Sequence, residues 1–189
     1  CLDELRMNFL LCTLLFSVAS CSLAKFIVNI ENGKIEGEES EKYYSFKGIT
    51  YAQADRFELP TPYADKWSDV RQFKEFGSEC AQFEHFSYAF AGAEDCLSLN
   101  VYVPKSIAES DELAPVIFYI HGGAFMFGGS FFYGPENVME NEKMILVTIN
   151  YRLGILGFMS TEDEVLPGNL GLKDQVAALQ WVQRNIGAF

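Results

Sequence analysis

Two uninterrupted apolar runs place the strongest constraint on the fold of this chain. Residues 116–120 read VIFYI and residues 144–149 read MILVTI. A strand with one solvated face alternates apolar and polar residues, whereas a strand covered on both faces reads as a continuous apolar run. The two runs therefore predict central strands of a mostly parallel sheet, with helices on both of its faces.

The neighbouring segments predict the other elements of a layered α/β fold. Residues 97–103, LSLNVYV, alternate like a strand with one buried face, and an Asn32-Gly33 turn predicts antiparallel strands at the amino-terminal edge. Residues 53–93 are irregular and predict an ordered loop with short turns. A helix is predicted over residues 172–186, where apolar residues three and four apart should face the sheet: Leu172, Val176, Leu179, Val182 and Ile186.

The sheet is expected to be incomplete within this chain. One long helix cannot cover both faces of a parallel sheet, so we expect the protein to continue past Phe189. Residues 185–189 read as a helix end followed by a glycine cap.

The first 24 residues are predicted to lie outside the folded domain. Residues 9–19, FLLCTLLFSVA, are too few to span a bilayer but are typical of a secretory signal peptide, and Ser22-Leu23-Ala24 provides small residues for cleavage. A buried core helix is the alternative for this run. The mature chain would begin at Lys25, and the residues before Met7 would precede the natural start. We therefore expect a secreted protein with no stable membrane insertion.

The cysteines predict a covalent cross-link, and the net charge restricts the classes of molecule that the protein can bind. Removal of residues 1–24 leaves Cys80 and Cys96, which predict one disulfide worth about 3 kcal/mol or, alternatively, two buried thiols. Fourteen basic and twenty-six acidic residues give a formal charge of −12, the wrong sign for nucleic-acid binding. No set of metal ligands is apparent, and no cofactor is expected.

The segment that most suggests chemistry is HGGAF, residues 121–125, directly after VIFYI. Acyl transfer develops negative charge on a carbonyl oxygen, which preorganised backbone N–H groups stabilise. Small residues let the backbone approach closely, and ligands of open α/β sheets bind at the carboxyl ends of strands. An ordinary turn is the alternative for the Gly-Gly pair.

Residues 94–104, EDCLSLNVYVP, closely resemble the signature of type-B carboxylesterases and cholinesterases. Other segments resemble the same family in the same order across residues 25–189: FKGITYA from Phe46, Arg56-Phe57, HGGAF, NYRLG from Asn150, and GNLGLKDQVAALQWVQRNI from Gly168. The resemblance implies an α/β-hydrolase fold and, in the complete protein, a serine esterase that forms an acyl-enzyme from a small-molecule ester.

The resemblance also implies roles for particular residues. The N–H groups of Gly123 and Ala124 would donate to the oxyanion, joined by an N–H beside the nucleophile. Asp174 would be structural, with the catalytic acid as the alternative. Three pairs would hold the segment together: a disulfide between Cys80 and Cys96, and ion pairs of Arg56 with Glu94 and of Arg152 with Asp174.

The chain departs from the family pattern at two places. Residues 51–57 are shorter than the usual family segment, and no Gly-x-Ser-x-Gly occurs, so the nucleophile is absent. Ser130 is predicted to be a loop serine, His121 to pack at a strand end, and His85 to lie at the surface or a pocket rim. Two rival hypotheses are a catalytically dead cholinesterase-like adhesion or ligand-binding protein and a short chain that only sequesters ligands.

Overall fold

A computed structural model describes residues 26–84, 88–110, 113–140 and 143–189. The predicted signal peptide and His85 lie outside these residues. The elements are, in chain order, β1 (Ile27–Ile30), β2 (Gly33–Glu36), β3 (Glu38–Glu39), β4 (Tyr43–Thr50), β5 (Ala52–Gln53), β6 (Thr61–Pro62), β7 (Arg71–Gln72), β8 (Gln82–Glu84), β9 (Ala89–Ala91), β10 (Ser98–Pro104), α1 (Lys105–Ala108), β11 (Val116–Ile120), α2 (Glu136–Met139), β12 (Ile145–Ile149), α3 (Gly154–Phe158) and α4 (Leu170–Asn185).

The main sheet of the described residues has the order β11-β12-β10-β4-β3. β11 and β12, which are the two apolar runs, pair in parallel as predicted. The pairs β12-β10, β10-β4 and β4-β3 are antiparallel. The Asn32-Gly33 turn joins β1 and β2 as the predicted antiparallel hairpin, and β7 adds to that hairpin in a separate sheet.

The two apolar strands differ in how far they are covered within the described residues. All five residues of β12 are buried. In β11, by contrast, Val116 and Ile120 are 37% and 39% exposed. β11 is the edge strand of the described sheet, so it has a pairing partner on one side only. Residues 53–93, predicted as loop, contain the end of β5 and the short strands β6 to β9.

The helix α4 forms close to where it was predicted, but the predicted inner face is right only for Val182 and Ile186, which pack in the core. Leu172, Val176 and Leu179 are 41%, 49% and 41% exposed. Glycine and alanine on the inner face let the helix approach closely: a Cβ on Gly171 would lie 2.5 Å from the carbonyl oxygen of Arg152. The residues that α4 buries are Leu170, Gly171, Asp174, Ala178, Trp181, Val182 and Asn185. The predicted glycine cap is also wrong, because a 3-10 turn, Ile186–Ala188, follows the helix.

A buried ion pair fastens α4 to the segment after β12. The Nη2 and Nε atoms of Arg152 donate to the two carboxylate oxygens of Asp174 at 2.7 and 2.8 Å, and the Arg152 backbone N–H donates to the same carboxylate at 3.0 Å. Asp174 is fully buried and Arg152 is 5% exposed. Both oxygens of Asp174 are thus engaged, which explains why a carboxylate lies on the inner face of an amphipathic helix.

The helices of the described ranges include none that is long and apolar enough to cross a membrane.

We predict that Asp174→Asn destabilises the complete protein by about 3–5 kcal/mol, because it leaves the buried Arg152 charge without a counter-ion. Urea unfolding followed by circular dichroism measures the change. Glu94→Gln is the matched control, since the side chain of its partner Arg56 is 63% exposed, and it should change the midpoint little. Equal midpoints for Asp174→Asn and the wild type would contradict the prediction.

Candidate active site

The loop that follows β11, residues 121–129, has an unusual backbone. Gly123, Ala124 and Phe125 have consecutive positive φ angles of 123°, 53° and 60°. Non-glycine residues rarely adopt positive φ, and such conformations persist only where the surroundings enforce them. A Cβ on Gly123 would lie 1.8 Å from the carbonyl oxygen of Phe127, so only glycine fits there. We call residues 121–129 the glycine loop.

Several N–H groups of the glycine loop, those of Gly123 and Ala124 among them, donate to no acceptor in the described residues. The Gly123 carbonyl accepts from the N–H groups of Met126 and Phe127 at 2.9 and 3.2 Å, which closes the turn. Among the hydrogen bonds of the described residues, none has the N–H of Gly123 or Ala124 as donor. Ala124 is exposed and Gly123 is half-buried. Both N–H groups are therefore available to a ligand.

Aromatic side chains hold the start of the loop. The His121 ring stacks on the Tyr151 ring with centroids 4.4 Å apart, and the Tyr151 hydroxyl donates to the His121 carbonyl at 3.0 Å. The Gly154 N–H donates to the Phe125 carbonyl at 2.7 Å. Burial lowers the pKa of His121, and its Nδ1 donates to the Gly122 carbonyl at 2.9 Å. His121 thus packs at the strand end in its neutral form.

Buried amide side chains hold the far end of the loop. Gly128 donates its N–H to the Oε1 of Gln82 at 2.7 Å and accepts from the Nε2 of Gln82 at 2.9 Å. The Ser130 N–H donates to the Oδ1 of Asn150 at 2.8 Å. Asn100 donates from Nδ2 to the Ser130 hydroxyl at 3.0 Å. Sequence reasoning assigned no role to these three amides, although Asn100 and Asn150 lie inside the quoted motifs.

Ser130 takes part in this buried hydrogen-bonding cluster. It is 3% exposed and begins the 3-10 turn Ser130–Phe132. A nucleophile elbow instead presents its hydroxyl at the top of the sheet, on a sharp strand-to-helix turn. The position is consistent with the loop serine predicted from the sequence.

The predicted side-chain pairs lie beside the glycine loop. Cys80 and Cys96 are joined, with an S–S distance of 2.03 Å. The Arg56 Nε lies 3.0 Å from each carboxylate oxygen of Glu94, and its Nη2 also donates to that carboxylate. The hydrogen-bonded Arg56 guanidinium lowers the pKa of the Glu94 carboxyl. Together these contacts connect residues 54–57 to the disulfide-closed loop.

An apolar cavity of about 670 Å³ lies beside the glycine loop. Its lining combines residues 56–57, the disulfide-closed loop, Met126 of the glycine loop and the start of α3: the apolar side chains are Phe57, Phe83, Phe90, Met126, Leu153 and Leu156, and the large polar ones are Arg56 and Gln82. A larger cavity of about 770 Å³ lies next to β5 and β6 and includes no residue of the glycine loop. The apolar cavity therefore reaches the glycine loop at Met126, whereas the larger cavity does not contact this loop.

Comparison with known proteins places the chain in a family. The model of the carboxylesterase family matches residues 24–189. The chain belongs to the carboxylesterase family. It is 44% identical to Esterase-5A of Drosophila persimilis over 174 residues, which are 88% of this chain and 31% of that relative. It is also 44% identical to Esterase P of Drosophila melanogaster over 189 residues, 95% of this chain and 34% of that relative.

Solved carboxylesterase structures have the same fold. The carboxylesterase EST55 of Geobacillus stearothermophilus superposes with a TM-score of 0.77 at 38% identity, over 87% of this chain and 35% of that chain. A PNB esterase superposes with a TM-score of 0.74 at 38% identity, over 86% and 35% of the two chains. The predicted α/β-hydrolase fold is confirmed. The chain spans about a third of the length of these relatives.

We predict that Cys80 and Cys96 are bonded to each other in material secreted by a eukaryotic host. Their Cα atoms lie 4.9 Å apart, within the range that a disulfide requires. Peptide mapping under non-reducing conditions should recover the two cysteines in one linked peptide pair. Recovery of both as alkylated free thiols would contradict the prediction.

Proposed function

We propose that the complete protein is a secreted carboxylic ester hydrolase that acts through a serine acyl-enzyme, and that this chain supplies two oxyanion donors. The observation that carries the proposal is the pair of unbonded N–H groups, on Gly123 and Ala124, at the carboxyl end of β11. Attack on an ester carbonyl moves negative charge onto its oxygen. Two donors already held in place stabilise that charge without reorganisation.

The anchoring of the glycine loop supports this role. Donors stabilise a transition state best when they do not move during the reaction, and the loop is bonded at both ends by buried groups. The positive φ angles of Gly123 and Ala124 are tolerated by this anchoring. A protein that only bound ligands would have no need for such a turn, which speaks against the adhesion alternative.

The nucleophile, acid and base would come from the rest of the protein. No Gly-x-Ser-x-Gly occurs in the 189 residues. In this fold the acid and the histidine follow the serine along the chain. Asp174 is unsuited to act as the acid, because Arg152 engages both of its carboxylate oxygens. The structural role proposed for this pair from the sequence is the better supported one.

The substrate class is inferred from the apolar cavity beside the glycine loop. Its lining side chains include Phe83, Phe90 and Met126. An apolar cavity with few polar groups favours a small ester with hydrophobic substituents. The relatives named above are esterases and carboxylesterases, which is consistent with that class. Secretion is supported by the disulfide, because such bonds persist in oxidising compartments.

We predict that replacing the Ala124 backbone N–H by an ester oxygen, through incorporation of lactic acid, lowers kcat about a hundredfold or more. This change removes one donor and keeps the side chain. Proline would also remove the N–H, but its ring cannot adopt the φ of 53° found at Ala124. Hydrolysis of p-nitrophenyl butyrate by the complete protein measures the effect.

Two control variants should keep their activity in this experiment. Ala124→Gly retains the N–H, and glycine adopts positive φ readily. Gly122→Ala adds a methyl group whose nearest neighbour, the Tyr133 hydroxyl oxygen, would be 4.0 Å away. Unchanged kcat in a folded Ala124 ester variant would show that this N–H is not an oxyanion donor.

We also predict that residues 25–189 made alone have no esterase activity and fold poorly. Without a serine and a catalytic histidine there is no covalent step. Exposed apolar side chains of β11 and α4, such as Ile120, Leu172 and Val176, favour aggregation and dye binding. A cooperatively folded monomer that hydrolysed an ester and was inactivated by a serine-directed organophosphate would contradict both parts of the prediction.

A further inference from the structure

The Gln82 side chain makes a two-point contact with the glycine loop. Gln82 begins β8, inside the loop that the Cys80–Cys96 disulfide closes, and it is 7% exposed. Its Oε1 accepts from the Gly128 N–H at 2.7 Å, and its Nε2 donates to the Gly128 carbonyl at 2.9 Å. Its Nε2 also lies 3.1 Å from the carbonyl oxygen of Cys80. The amide therefore connects the disulfide-closed loop to Gly128.

Gly128 in turn packs directly against the peptide that carries the first oxyanion donor. Gly128 has φ of +120°, and a Cβ there would lie 2.6 Å from both the Gly122 carbonyl oxygen and His121 Nδ1. The Gly122 carbonyl and the Gly123 N–H belong to one planar trans peptide and point in opposite directions. Any contact that fixes the direction of the Gly122 carbonyl also fixes the direction of the Gly123 N–H.

We propose that Gln82 is a positioning residue of the esterase, which orients the oxyanion donors by holding Gly128 against the Gly122–Gly123 peptide. This inference rests on the proposed function of Gly123 and Ala124. A primary amide suits the task because it offers a donor and an acceptor on one planar group. Loss of the amide frees two buried backbone groups of Gly128 and loosens the peptide that Gly128 supports.

Loss of the Gln82 amide should weaken stabilisation of the transition state more than it weakens substrate binding. The carbonyl oxygen gains its negative charge during the reaction, so misdirected donors lower kcat and leave KM nearly unchanged. A displacement of about 1 Å at a reacting group costs about a hundredfold in rate. Gln82 is one of the residues that line the apolar cavity, but its amide oxygen and nitrogen are both bonded to Gly128. It therefore acts through Gly128, and we expect kcat to fall about tenfold to a hundredfold.

The test uses the complete protein with Gln82→Met, which keeps the side-chain length and removes both hydrogen bonds to Gly128 together with those of Nε2 to the Cys80 carbonyl and the Glu79 carboxylate. Active-site titration with an organophosphate normalises each rate to the folded fraction. We expect kcat for p-nitrophenyl butyrate to fall as stated, KM to change less than about threefold, and affinity for a trifluoromethyl ketone to fall in parallel with kcat/KM. Gln82→Asn has a shorter side chain that loses one of the two contacts with Gly128, so its kcat should be intermediate. This variant takes the place of Gln82→Met in the test if Gln82→Met does not fold.

Asn185→Leu is the matched control. Asn185 is also a buried amide, and it accepts from the Glu31 N–H at 2.8 Å and donates to the Trp181 carbonyl at 2.9 Å. Its replacement should lower stability while kcat and inhibitor affinity stay at wild-type values. A comparable fall in kcat for this control would attribute the Gln82 effect to general destabilisation and would overturn the inference.

Two further results distinguish a failure of the role of Gln82 from a failure of the proposed function. A wild-type kcat in Gln82→Met, together with the expected loss in the Ala124 ester variant, would overturn the role of Gln82 and leave the proposed function intact. An unchanged kcat in the Ala124 ester variant, or a wild-type protein without esterase activity, would overturn the proposed function and the role of Gln82 with it.

Discussion

Buried side-chain amides that bond to backbone groups hold together the loops at the carboxyl end of the sheet. Irregular backbone in an interior must find a partner for each N–H and C=O, since an unpaired group there is costly. Gln82 supplies partners to Gly128, and Asn150 to Ser130 and to the Ser78 carbonyl. Asn100 accepts from the Gly48 N–H and donates to the Ser130 hydroxyl. Residues 78–82 are joined in this way to Gly128 and Asn150 without a β ladder, whereas Asn100 and Gly48 lie on the paired strands β10 and β4.

Not every backbone N–H group of the glycine loop takes part in this hydrogen bonding. The N–H groups of Gly123 and Ala124 donate to no acceptor in the described residues, and their place directly after β11 makes them candidates for a ligand. A buried polar contact also positions α4, because the Arg152–Asp174 ion pair fixes the helix beside the segment that follows β12. Fold and proposed chemistry therefore depend on the same set of buried polar contacts.

Much of the fold follows from the sequence because its signals are periodic or local. The runs VIFYI and MILVTI predicted the parallel pair β11-β12, and Asn32-Gly33 predicted the first hairpin. The inner face of α4 could not be read from apolar spacing, because a buried ion pair and small residues select that face. The partial exposure of β11 depends on which elements pack on the faces of the sheet, and the composition of one strand does not reveal this.

The candidate site was predictable only in part. The motif placed Gly123 and Ala124 after a strand, but their φ angles and unbonded N–H groups are properties of the folded loop. Gln82 carries no periodic signal, since its partner Gly128 is 46 residues away in the chain.

The most direct test of the account is a crystal structure of the complete protein with a trifluoromethyl ketone bound covalently to its nucleophile. The account predicts that the adduct oxygen lies within about 2.7–3.1 Å of both the Gly123 and Ala124 nitrogens. An adduct oxygen directed away from the glycine loop, more than about 4 Å from both nitrogens, would contradict it.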